Sequence, residues 1–442
     1  MTKQLYDLIL KDGICVLPSG IEQLDIAIKD GLIVDIGSFS SSQATRTVDC
    51  KNLHVLPGVI DSQVHFREPG MEYKEDLESG TRSAILGGVT TVFEMPNTKP
   101  PTISEEALND KLQRAKGRAW CDHAFFIGGT LNHDIDWGSL EFLDGCCGIK
   151  IFMGSSTGNL LVSEDEALDE IFRNSRRRIA IHAEDEHILR ERAHIAQEGR
   201  HPRFHPEWRN VDSALNATKR IINIARRYKH PLHVLHITTA DEIEFLAQHK
   251  DIATVEVTPQ HLTLTDEAYE RIGTLAQMNP PIRSQQHQDG LWEGIRIGIV
   301  DVIGSDHAPH ALDEKNKEYP ASPSGMPGVQ TMVPLMLNHV NNQKLSLQRF
   351  VDLLCSGPAR IYGISRKGRI AVGYDADFTI VDLQAEKTIS NSQSASKCGW
   401  TPFDGMKVKG WPQATIIRGN IVMQNDEVQG SPLGEKVSFI GA

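Results

Sequence analysis

Pro57-Gly58-Val59-Ile60-Asp61-Ser62-Gln63-Val64-His65-Phe66-Arg67-Glu68-Pro69-Gly70 opens the central part of the chain. The run begins apolar and β-branched and ends in a histidine, an arginine and a Pro-Gly turn. It predicts a buried strand that finishes in polar side chains at one end of a sheet. On such a strand His65 and Arg67, two residues apart, share a face. An imidazole able to bind metal then stands beside a guanidinium able to bind an anion.

Seven further strand signals follow at Thr90–Glu94, His123–Ile127, Gly148–Phe152, Ile179–His182, Leu232–His236, Ala253–Val257 and Val300–Gly304. Helical patterns separate most of them, at Ser104–Ala115, Glu164–Asn174 and Val211–Tyr228, the first with a serine cap and two glutamates in its opening turn. Eight such alternations predict a (β/α)8 TIM barrel over residues 56–365. An open doubly wound sheet is the alternative, but no glycine-rich phosphate loop follows the first strand. Both ends of the chain differ in texture. Short apolar runs separated by Asp12-Gly13 and Asp30-Gly31 are hairpin signals, and Ala376–Asp382 and Ala414–Asn420 match them near the other end. A small β-sandwich domain formed from both chain ends, residues 1–55 and 366–442, is expected.

Composition limits the function. Of 442 residues 40% are hydrophobic and 24% charged, as in an ordinary globular enzyme. A formal charge of −12 argues against a nucleic-acid partner, which needs a basic surface. No apolar run approaches the roughly 20 residues that span a membrane, and Met1-Thr2-Lys3-Gln4 leads into no signal core. The seven cysteines are scattered without metal-site spacing, which suits reduced thiols and a cytoplasmic location. Adjacent Cys146 and Cys147 read as small buried hydrophobes at a strand start.

Polar residues fall at corresponding places on the strands. His65 ends the first, Lys150 lies inside the fourth, His182 and His236 end the fifth and sixth, and Asp306 follows the eighth. In a parallel barrel those ends open on one face, where such folds do chemistry. Singly, each has a plainer use: a histidine hydrogen-bonded at a rim, an aspartate capping a helix. Together they have the ligand types of a metal site. Lys150, between Ile149 and Ile151, needs a partner if charged; it could snorkel, pair with an acid, or carry CO2 as an anionic carbamate. Arg67 and Asn97, ending the first two strands, suit a carboxylate ligand, or equally a surface arginine with an Asx turn.

At these residues the chain resembles the amidohydrolase superfamily and, within it, the long-type dihydroorotases, close to allantoinases and dihydropyrimidinases. The matching pieces include Asp61–Gly70, Glu94-Met95-Pro96-Asn97-Thr98, Gly148–Met153, Ile181-His182-Ala183-Glu184, His233–His236, Glu256–Leu262 and Ser305–His310. The resemblance implies one or two zinc ions held by His65, a carboxylated Lys150, His182, His236 and Asp306. It implies Asp306 as proton carrier in opening the ring of dihydroorotate to carbamoyl aspartate. Arg67 and His310 would hold the substrate carboxylate, Asn97 and Asn279 polar atoms of the ring, and Gly154–Asn159 a mobile loop. A homodimer is implied, with possible association with aspartate transcarbamoylase. Two other roles share the resemblance: hydrolysis of a hydantoin, dihydropyrimidine or allantoin, and a metal-poor scaffold for that transcarbamoylase.

This chain departs from the family at Gln63, where a His-x-His motif has its first histidine, and at Gln260, where a second histidine commonly precedes His261. An amide binds zinc poorly beside imidazole, so Gln63 is a doubtful ligand. The alpha metal would keep His65, Asp306 and the Lys150 carbamate. The beta metal would keep His182, His236 and that carbamate.

Overall fold

The computed structural model describes residues 5–131, 135–155 and 160–440. At its centre are eight parallel strands: β1 (Val59–Val64), β2 (Val89–Glu94), β3 (Asp122–Gly128), β4 (Cys146–Phe152), β5 (Ile179–His182), β6 (Leu232–Val234), β7 (Ala253–Val257) and β8 (Val302–Ile303). Each pairs with the next in chain order. A bridge between Val64 and His307, with the His65 amide donating to the His307 carbonyl at 2.7 Å, joins the last strand region to the first. The result is the expected TIM barrel.

Strand alternation explains the layering. Outward residues such as Val92, Ile127, Ile149, Ile151, Ile181, Val234 and Val255 meet the apolar faces of the surrounding helices. Helix Val211–Tyr228 is typical: Asn210 caps it by accepting from the Ser213 amide, and Ala214, Ala217, Ile221, Ile222 and Ala225 face the sheet. Inward residues Ile60, Phe93, Phe126, Cys147 and Ala180 form an apolar layer inside the barrel. Tyr362 and Phe439 close it, their rings 5.2 and 5.7 Å from Phe93. The histidines, lysine and aspartate singled out in the sequence gather at the opposite, C-terminal rim.

The chain ends build a separate mixed sheet of nine strands. Its N-terminal part runs to His54–Pro57, which pairs antiparallel with Phe378–Thr388 (Val55 with Ile380, Pro57 with Phe378) and so joins the two ends of the chain. All seven cysteines are buried and unpaired. Among the described residues no helix is long and apolar enough to cross a membrane.

One local reading differs. β1 stops at Val64, so His65 and Arg67 do not share a strand face. Arg67 takes a left-handed backbone (φ 66°), as do His236 (φ 36°) and Asp306 (φ 44°). Each such non-glycine residue costs about 1–3 kcal/mol, strain that concentrates where side-chain aim matters. Left-handed turns, rather than strand alternation, bring these three side chains over the barrel mouth.

Candidate metal and substrate site

A pocket opens at the C-terminal rim, lined by Gln63, His65, Lys150, His182, His236 and Asp306 together with Arg67, Asn97 and Asn279. Nine of the ten residues singled out in the sequence therefore meet in one cavity. His310 stands behind Arg67, its Nε2 3.4 Å from a guanidinium nitrogen.

The donors form two pairs. In the first, His65 Nδ1 donates to Asn97 Oδ1 at 2.8 Å, leaving the Nε2 lone pair 3.2 Å from Asp306 Oδ1. Burial, the largest influence, holds this imidazole below its usual pKa, so two electron-rich atoms face each other. In the second pair, His182 Nε2 donates to the Glu184 carboxylate at 2.8 Å, which leaves its Nδ1 lone pair 3.0 Å from His236 Nε2. Burial depresses both imidazoles, His236 far more, and the His236 Nδ1 has no hydrogen-bond partner. Two imidazole nitrogens held at about 2.0–2.1 Å by one tetrahedral zinc stand about 3.3 Å apart, close to the separation seen here.

Lys150 lies between the pairs. Its amine is fully buried without a hydrogen-bond partner, 4.4 Å from the Phe152 ring centroid, and burial pushes its pKa down to about 7. Its charge acts on Asp306 on one side and on His182 and His236 on the other. Behind it the Glu256 carboxyl accepts from Ser62 at 3.2 Å and is pushed up to about 8, chiefly by burial and then by Asp306.

Among the described residues no three histidine, cysteine, aspartate or glutamate side chains already form a metal cluster. The Lys150 amine, which offers no oxygen, acts electrostatically on both pairs. The facing lone pairs and the unpartnered lysine fit a cation at each pair once Lys150 carries oxygen donors. Gln63 fits less well. Its amide nitrogen donates to Asp306 Oδ1 at 3.0 Å and its oxygen is buried without a partner. Turning the amide over would set that oxygen against the carboxylate. Gln260 does not enter the pocket lining; its amide donates to the Ser305 carbonyl at 2.6 Å.

Further buried groups hold these residues in place, and periodicity did not reveal them. Glu184, fully buried, takes a forked contact from Arg209, whose Nη2 also reaches the Ser155 carbonyl at 2.8 Å. Its pKa is held well below the usual carboxylate range by Arg209 and His182, against the opposing effect of burial. The available signal was the spacing His182-Ala183-Glu184, a carboxylate two residues beyond a strand-end histidine. Asn279 Oδ1 accepts from His205 Nε2 at 2.9 Å. Residues 156–159 of the expected loop lie outside the described residues.

A parallel barrel with paired imidazole and carboxylate donors around a buried lysine defines a hydrolase of the metal-dependent barrel class. The amidohydrolase family model matches residues 54–422, and the chain belongs to that family. It is 37% identical to a dihydroorotase from Pyrococcus furiosus, covering 93% of this chain and 92% of the other. It is 34% identical to a dihydroorotase from Methanosarcina mazei, covering 96% of each. Among solved structures, L-hydantoinase (dihydropyrimidinase) from Arthrobacter aurescens superposes with a TM-score of 0.93 at 32% identity, covering 98% of this chain and all of that one. Dihydropyrimidinase from Brevibacillus agri gives 0.91 at 26%, covering 98% and 99%.

Proposed function

We propose that the protein is a zinc-dependent dihydroorotase, which reversibly hydrolyses the cyclic amide of dihydroorotate to carbamoyl aspartate. The observation that carries this reading is Arg67 and Asn97 on the wall of the cavity that also holds both donor pairs. A guanidinium suits the carboxylate of that substrate, which a plain hydantoin ring lacks.

His65, Asp306 and a carboxylated Lys150 would hold one zinc, with Gln63 at most an accessory; His182, His236 and the same carbamate would hold the other. When bound, the metal acidifies water and polarises the amide carbonyl. The residues of the chain do the rest. Arg67 receives the carboxylate, while Asn97 and Asn279 meet polar atoms of the ring. Asp306 accepts a proton from the attacking water and returns it to the ring nitrogen as the C–N bond breaks. The carbonyl carbon gains the water oxygen and becomes the new carboxylate. Glu184 fixes the His182 tautomer, so that its Nδ1 is always the free lone pair.

The hydantoinase likeness in structure supports a second reading, hydrolysis of a ring without a carboxylate. One assay separates them: zinc-supplemented protein with dihydroorotate, hydantoin and allantoin side by side. Turnover of dihydroorotate well above the others is expected. Preference for hydantoin would transfer the assignment.

A further inference from the structure

Lys74 lies outside every motif used above, and its ammonium is buried at the seam between the first and last barrel strands. That seam has little backbone pairing, so side chains close it. Arg67 Nε donates to the Pro309 carbonyl at 3.1 Å, and the Tyr73 hydroxyl to Glu314 at 3.0 Å. Lys74 joins both sides: Nζ is 2.9 Å from His310 Nδ1 and 3.1 Å from Glu314.

The protons on this ring are determined by its neighbours. The Ser324 carbonyl, 3.0 Å from His310 Nε2, can only accept, so Nε2 carries the hydrogen. Nδ1 is then the acceptor, and Lys74 fills it. The 3.4 Å approach of Arg67 to Nε2 is therefore one donor beside another. Arg67, the His310 ring and Lys74 are stacked in layers; Glu314 pairs with Lys74 and its charge also acts on Arg67. The Trp400 indole holds the His310 backbone from outside, through its carbonyl, at 2.9 Å.

We propose that Lys74 is a specificity-determining positioning residue: by occupying His310 Nδ1 it keeps that ring neutral, with its Nε2–H held by the Ser324 carbonyl, and so fixes the ring against which Arg67 is set to receive a substrate carboxylate. Without Lys74, Nδ1 is open to water or a proton and the ring is free to turn over. Arg67 then loses its fixed neighbour. The inference rests on the dihydroorotase reading and concerns recognition, not bond cleavage.

The test uses the metal-loaded full chain. Lys74→Met should raise KM for dihydroorotate about tenfold and change kcat less than twofold, and Lys74→Arg, which still only donates, should return KM to within about threefold of the unaltered protein. An unchanged KM in Lys74→Met, or a kcat loss without a KM rise, overturns the proposal. So does a Lys74→Arg variant as impaired as Lys74→Met. If Lys74→Met does not fold, Glu314→Gln carries the test. Removing the counter-charge should lower KM two- to threefold; no change or a rise overturns the proposal. Failure of the unaltered protein to act on dihydroorotate would instead refute the function proposed above.

Discussion

Replacing Glu184 by glutamine should separate what stabilises the barrel from what holds a metal. Glu184 is completely buried and Arg209 is 2% exposed, so solvent screens their contact little. The carboxylate accepts Arg209 Nε at 3.1 Å from each oxygen and the His182 ring at 2.8 Å. Breaking such a pair strands the surviving charge at a cost of about 3–5 kcal/mol. Glutamine keeps one carbonyl acceptor, so we expect a loss near the lower end of that range, about 3 kcal/mol, in equilibrium urea unfolding. Arg209→Met should cost a similar amount by stranding the carboxylate. The double variant strands neither charge, so the cycle should show a favourable coupling of about 2 kcal/mol or more. Metal retention should follow a different rule. Glu184→Gln leaves Arg209 and His182 to compete for a single carbonyl oxygen, so His182 is less firmly fixed and should release zinc to a chelator about 10–100-fold more readily. Arg209→Met keeps the carboxylate and should hold zinc nearly as well as the unaltered protein. Additive stabilities, or zinc loss in Arg209→Met equal to that in Glu184→Gln, would refute the reasoning.

Restoring the missing imidazole with Gln63→His should increase the zinc retained per chain after mild chelation; equal retention would mean that Gln63 does not weaken the alpha site. Asp306→Asn should abolish turnover of dihydroorotate while leaving zinc at His182 and His236, as metal analysis beside the assay would record. Lys315 is another buried amine, donating to the Gln277 and Pro323 carbonyls at 3.1 and 2.8 Å, with burial pushing its pKa down to about 7. The unfolded chain binds this proton up to about pH 10, so stability from this group should rise with pH between about 7 and 10, by at most about 1.4 kcal/mol per unit. Lys315→Met should flatten that slope in unfolding measured across the same window, and an unaltered slope would remove Lys315 as its source.

The barrel was legible because short apolar runs recur between helical patterns and several of them, those ending at His65, His182 and His236 among them, finish in a polar residue. That pattern survives in isolation, since burial on both faces leaves few polar positions before the rim. Boundaries were less legible where tertiary contacts set them. The last strand signal spans Val300–Gly304, yet only Val302 and Ile303 pair as strand. The sixth ends at Val234 although apolar character continues to Leu235, because His236 turns into a left-handed conformation. Position along the chain also could not show that His65 and Arg67 reach the same cavity through a turn.

The rim residues announce themselves by interrupting apolar runs; the groups that orient them do not. Glu184 is close to its histidine in sequence and could have been suspected, but Arg209 meets it across 25 residues from an irregular segment between two helices. Lys74 meets His310 across 236 residues. No period or spacing encodes either contact, since both depend on which rim loops the closed barrel makes neighbours. They nevertheless decide which nitrogen of each ring carries hydrogen: His182 leaves its Nδ1 lone pair free, and His310 donates Nε2–H to the Ser324 carbonyl. A sequence can therefore show where imidazoles gather, while only the closed barrel shows which become ligands and which become donors. That difference turns on single protons, and on the function proposed above exchanging the two tautomers would disturb both metal and carboxylate binding without moving one backbone atom.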